Sequence, residues 1–94
     1  LTYKDKISGE EHQIFTTGIF VEVGQIPNTD FMKGVVEIDE FNKIKVDPMT
    51  QMTSVPGIWS AGDCTNGRYH QNNIAAGDAV KALEDLYIWV HKNR

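Results

Sequence analysis

Ninety-four residues, 40% of them hydrophobic and 23% charged, make room for one small domain and are too apolar for a disordered tail. Nine basic and thirteen acidic residues leave a formal charge of −4, interspersed along the chain, so neither a basic stripe for nucleic acid nor a charge block for a membrane surface is present. The single cysteine, Cys64, excludes an internal disulfide and fits a reducing, cytoplasmic setting.

The chain opens Leu1-Thr2-Tyr3, with no initiator methionine, and reads as a piece of something longer that begins inside a strand. Leu1 to Ile7 and His12 to Thr16 flank the turn residues Ser8-Gly9-Glu10, which predicts a hairpin. Gly18 to Gly24 is a β-branched and aromatic run closed by glycine at both ends, the clearest predicted strand. Pro27 and Asn28 predict a loop, and Asn28 or Thr29 stands where it could cap a helical turn over Asp30 to Lys33. Val35 to Asp39 and Lys43 to Asp47 read as a second hairpin around Glu40-Phe41-Asn42.

Pro48 to Gly57 is a connector, and Gly57 to Asp63 reads as a short buried strand, with residues 58–61 expected in a separate, parallel sheet. One long helix is predicted from Gln71 or Asn72 to about Lys92. Ala76, Ala79, Leu83, Leu86 and Val90 form its core stripe, and Ile74, Ala75, Val80, Ala82, Tyr87, Ile88 and Trp89 widen it until cover on more than one side is expected. Asp78, Lys81, Glu84 and Asp85 keep it from being a membrane span.

The strand-loop-helix unit from Gly57 onward carries the candidate chemistry. Helix N-termini attract anions through free N–H groups and the helix dipole. Gly62 would admit a close backbone or ligand, or serve packing alone. Asp63, just past a strand, is placed either to accept hydrogen bonds from sugar or polyol hydroxyls or to cap the following turn. The stretch Gly62 to Tyr69 grazes the P-loop pattern but has Arg68-Tyr69 where the phosphate lysine and magnesium hydroxyl belong, so nucleotide hydrolysis is rejected. No two glycines lie two apart, so no dinucleotide GxGxxG exists in the chain. His12 and His91 sit on polar stretches, and three histidines with one cysteine at these spacings make no metal site. Trp59, Trp89, Tyr87 and Met52 read as core or interface residues.

Three motifs stand in register: Thr17 to Thr29, Thr53 to Thr65, and Tyr69-His70-Gln71 with Ala75-Ala76-Gly77. Together they resemble the closing segment of thioredoxin reductases and of the reductase component of alkyl hydroperoxide reductases, over essentially the whole chain. The resemblance implies an α/β fold: residues 1–94 would be the C-terminal portion of a Rossmann-like FAD-binding domain, comprising a β-meander, one parallel-sheet strand and a long C-terminal helix. It implies FAD as cofactor, with NAD(P)H oxidised by the parent enzyme and electrons passed to a disulfide. Asp63 would hydrogen-bond the ribityl or pyrophosphate region of FAD, His70, Gln71 and Asn72 would start the last helix under the flavin ring, and Gly62 would count with them among the cofactor-binding residues.

In that resemblance His70 replaces an arginine common in thioredoxin reductases, and an imidazole titrates near neutrality, so no fixed positive charge is expected from it. The redox Cys-x-x-Cys of such enzymes has no counterpart here, and Cys64 is expected to pack rather than react. The implied partners are the N-terminal half of the FAD domain and the NAD(P)H domain. Alone, the chain is expected to be inactive, to hold flavin weakly or not at all, and to form a homo-oligomer. The contrasting reading is a stand-alone α/β module that binds no flavin and acts through protein contacts.

Overall fold

The computed structural model describes all 94 residues. Its first element is a hairpin of β1 (Thr2–Lys4) and β2 (Glu11–Gln13), antiparallel, with Thr2 opposite Gln13, Tyr3 opposite His12 and Lys4 opposite Glu11. The Tyr3 and His12 rings stack across the pair at 5.4 Å, the kind of cross-strand contact that stabilises such ribbons. Asp5 organises the turn. Its Oδ1 accepts from the backbone N–H of Ile7 at 2.7 Å and of Ser8 at 2.9 Å, and Gly9 closes the turn at φ 73°. Backbone donation from Ser8, then from Ile7, holds the Asp5 carboxyl below the usual carboxylate range. The strands are shorter than the sequence predicts.

The clearest sequence expectation fails next. Residues 18–24 form neither strand nor helix. Ile19, Phe20, Val21 and Val23 are exposed, Phe20 at 92%. A strand is defined by its partner's hydrogen bonds, and no other segment of the chain pairs with this run. Composition marks a segment fit for a sheet but cannot supply the neighbouring strand.

A 3₁₀ turn over Asp30–Met32 matches the predicted helical turn. Thr29 precedes it but does not cap it. Its buried hydroxyl donates to the Asn42 carbonyl at 2.5 Å instead, tying the turn to the second hairpin. That hairpin is real but minimal: Asp39 Oδ1 accepts from the N–H of Phe41 and of Lys43, Asn42 takes a left-handed φ of 60°, and only Ile38 and Ile44 form a ladder pair. Lys45 extends the closure through a 2.6 Å contact with Glu37, whose hydrogen bond and charge raise the lysine above its usual range.

Ile44 is the hub of the small core, buried with Val36. It pairs antiparallel with Ile38 on one side and parallel with Thr65 on the other. The expected parallel strand at residues 58–61 is therefore corrected. Trp59 pairs antiparallel with Met52, while the parallel contact falls later, at Thr65. The connector folds back on its own continuation, through Thr53 N–H to Ile58 O and Ser60 N–H to Gln51 O, which satisfies those backbone groups.

Helix α1 (Asn72–Lys92) has the predicted limits. Its covered face does not follow the prediction. Asp78 and Asp85 are half-buried, with Ala75, Ala82 and Trp89 of the widened face and Val90 of the stripe, whereas Ala76, Ala79, Leu83 and Leu86 of the stripe are exposed. Polar pairing sets that rotation. Gln51 donates to Asp78 at 3.2 Å and the Trp59 indole N–H to Asp85 at 2.9 Å. Trp59 also meets Trp89 edge-on at 5.8 Å. The apolar stripe is left uncovered beside them. No helix is long and apolar enough to cross a membrane.

The molecule is elongated, 66 × 27 × 23 Å, with a radius of gyration of 19.8 Å, against about 12 Å for a compact chain of this length. Its accessible surface of 7709 Å² exceeds by roughly 2,200 Å² the area a folded monomer of 10.6 kDa exposes. An excess that large is the size of a substantial protein interface.

Candidate functional site

The site is built around the turn that follows the 58–62 segment. Gly62 sits at φ +83°, and a Cβ there would lie 3.4 Å from the Ala75 Cβ of α1. Its glycine is thus explained by a left-handed backbone and close packing on the helix. The Gly62 carbonyl accepts from the Thr65 N–H at 3.0 Å and the Thr65 hydroxyl at 2.8 Å, which buries Thr65 and turns Asp63 outward.

Asp63 caps no backbone N–H. Its Oδ2 accepts from the Gln25 side-chain amide at 3.0 Å, and its Oδ1 lies 3.7 Å from His70 Nδ1. The side chain is 48% exposed, leaving room for a further donor. On the other side of the imidazole, Lys43 Nζ stands 2.6 Å from His70 Nε2. Four side chains from four separate segments thus converge: Gln25, Lys43, Asp63 and His70.

His70 leads directly into α1. Gln71 occupies the helix N-cap in extended conformation and makes no side-chain cap, and the first turn holds no acidic residue. Gln71 and Asn72 are exposed, so the first N–H groups of a 21-residue helix remain available for an anion. Asp63 and His70 come within 3.7 Å of one another, and Gly62 adjoins Asp63 along the chain. Gln71 and Asn72 adjoin them at the helix start. A cleft of about 250 Å³ lies between Gln25-Ile26-Pro27-Asn28 and Asp63-Cys64, and a wider one of about 590 Å³ runs from the same Gln25 to Lys43. Cys64 is a free thiol, half-buried, its sulfur 3.4 Å from the Ala61 carbonyl and from the Ser60 hydroxyl. No group of three or more His, Cys, Asp or Glu side chains is placed to hold a metal ion.

Sequence reasoning missed Gln25 and Lys43. Gln25 lies within the Thr17 to Thr29 motif, so its proximity to the site was open to reading. Lys43 carries no such signal, because it stands 27 residues from its partner on an ordinary hairpin.

Residues 2–79 match the family model described as pyridine nucleotide-disulphide oxidoreductase. The chain belongs to that family. Among curated proteins it is similar to the F component of alkyl hydroperoxide reductase from Pseudomonas putida, 46% identical over 82 residues that make up 87% of this chain and 16% of that protein. It is also similar to NADH dehydrogenase of Bacillus subtilis, 38% identical over 99% of this chain and 18% of the relative. Among solved structures, thioredoxin reductase of T. acidophilum superposes with a TM-score of 0.81 at 47% identity, covering 92% of this chain and 28% of the other. The chain therefore spans less than a third of the length of each of these relatives. These likenesses accord with the thioredoxin-reductase resemblance of the three motifs, and they place the chain in an α/β fold of the FAD- and NAD-binding kind.

Proposed function

We propose that this chain is the flavin-binding half-site of a pyridine nucleotide-disulphide oxidoreductase of the thioredoxin reductase type, the C-terminal part of its FAD domain. The parent enzyme would oxidise NAD(P)H, pass electrons through FAD, and reduce a disulfide. The observation that carries the reading is the Asp63 cluster. A half-exposed carboxylate, steadied by Gln25, stands at a glycine turn packed on a helix whose N-terminus is uncapped.

That arrangement fits a flavin dinucleotide in part. Asp63 would accept from a sugar-alcohol hydroxyl, Gln25 would hold the carboxylate in place, and the N–H groups at Gln71 and Asn72 would favour negative charge. FAD, when bound, supplies the two-electron redox chemistry. The 250 Å³ cleft suits one portion of such a molecule and not the whole, and no glycine-rich pyrophosphate turn is available in the chain. The rest of the site would come from an N-terminal half of the FAD domain, which would also cover the apolar stripe of α1 and pair with residues 18–24. The single cysteine suits a cytoplasmic setting. Without that half, a second copy of the chain is the natural cover for the same surface.

Reconstitution tests the reading. The segment joined to the remaining domains of a thioredoxin-reductase-type protein should purify with visible flavin absorbance, and the 94 residues alone should not. Tight one-to-one flavin uptake by a monomer of the isolated chain would refute it.

A further inference from the structure

We infer that Lys43 fixes the tautomer of His70 and carries the positive charge beside the start of α1, leaving His70 a neutral imidazole with its proton directed at Asp63. The 2.6 Å separation of Lys43 Nζ and His70 Nε2 decides the assignment. An ammonium group has three donors and no acceptor, so the nitrogen it meets must present a lone pair. An imidazolium would set two cations in contact. The tautomer protonated at Nε2 would set two donors face to face. Both arrangements are excluded by the same contact. A lysine ordinarily keeps its proton to far higher pH than a histidine, so the single charge of the pair rests on Lys43.

The remaining proton then sits on Nδ1, the atom that faces Asp63 Oδ1 at 3.7 Å. The charged groups facing the ring are Lys43, from the second hairpin, and Asp63, from the turn after Gly62. Gln25 on the far oxygen of Asp63 is uncharged, and the nearby Arg68 guanidinium lies over the Tyr69 ring at 5.7 Å. With 22% of its side chain exposed, His70 keeps both contacts largely out of water. The order cation, neutral ring, carboxylate, amide thus runs from Lys43 through His70 and Asp63 to Gln25. Lys43 is a positioning residue. It orients the imidazole, and it supplies a fixed charge where a histidine alone does not. The consequence for flavin rests on the proposed function; the tautomer does not.

Nitrogen NMR of the ¹⁵N-labelled imidazole in the 94-residue chain near neutral pH tests the first half. The wild type should show His70 protonated at Nδ1 with an acceptor-type Nε2. K43M should shift the pattern toward Nε2–H, and K43R, which keeps the donor, should restore Nδ1–H. A wild-type ring protonated at Nε2, or a pattern unchanged in K43M, overturns the inference. Helix content by circular dichroism identifies any variant that has lost its fold, in which case the His70 ring shifts in the wild type and K43R alone decide between the two tautomers. In the reconstituted flavoprotein, K43M should make the flavin midpoint potential more negative than in both wild type and K43R. Equal potentials in all three would overturn the charge half of the inference. Failure of the wild-type flavoprotein to bind flavin would instead refute the proposed function, while the imidazole spectrum still reports on Lys43.

Discussion

Replacing Gly62 with alanine perturbs the join between the candidate site and α1. At φ +83° a residue with a Cβ costs about 1–2 kcal/mol relative to glycine. The new Cβ would lie 3.4 Å from Ala75 Cβ and 4.0 Å from its Cα, the near edge of ordinary contact, so the clash adds little and the backbone dominates. Gly24→Ala is the matched control, since Gly24 takes φ +72° with nothing within 4 Å of its would-be Cβ, in a segment without regular structure. Urea or thermal unfolding followed by helix circular dichroism should show G62A destabilised by about 1–2 kcal/mol, at about 4–8 °C per kcal/mol for a chain this size. G24A should leave the helix transition close to wild type. Equal stability of G62A and wild type would refute the idea that this left-handed turn anchors the site on α1.

Three other outcomes are expected. Asp5 has a depressed carboxyl, so its stabilisation of the hairpin is fully present above the unfolded value of 3.8 and is lost as pH falls through the lower folded value. Tyr3–His12 cross-strand NMR contacts should fade in that acid range for wild type and not for D5N; identical acid profiles would contradict the assignment. Trp59→Phe removes the indole bond to half-buried Asp85 while keeping a ring against Trp89, and should cost about 1 kcal/mol in urea unfolding; no change would mean that Asp85 does not anchor the connector. The uncovered α1 stripe and the unpaired 18–24 run should drive the isolated chain to a dimer or larger species in sedimentation, and a stable monomer at high concentration would oppose that expectation.

The sequence was legible where local chemistry decides the structure. The helix limits at Asn72 and Lys92, the turn at Asp30–Met32 and the first hairpin follow from periodicity and turn residues. Residues 18–24 were misread because a strand is a relation between two segments, and no second member exists among these 94 residues' own pairings. The rotation of α1 was misread because apolar spacing identified Leu83 and Leu86, whereas hydrogen bonds from Gln51 and Trp59 brought Asp78 and Asp85 inward. Around the candidate site, Asp63 and His70 stood out from motifs, and the fold sets them 3.7 Å apart. Lys43 was not, since only folding brings it to the imidazole.

Whether Asp63 holds flavin is read most directly from flavin retention in two neighbouring variants. In a reconstituted flavoprotein containing this segment, Asp63→Ala removes a carboxylate acceptor worth about 1.5–3 kcal/mol when its hydrogen bond is charge-assisted, or about ten- to a hundredfold in affinity. Cys64→Ser keeps a small donor beside Ala61 and Ser60 and should leave affinity unchanged. Flavin should be lost from D63A on dialysis and kept by C64S. Equal flavin content in the two purified variants would contradict the assignment of Asp63 as a flavin ligand.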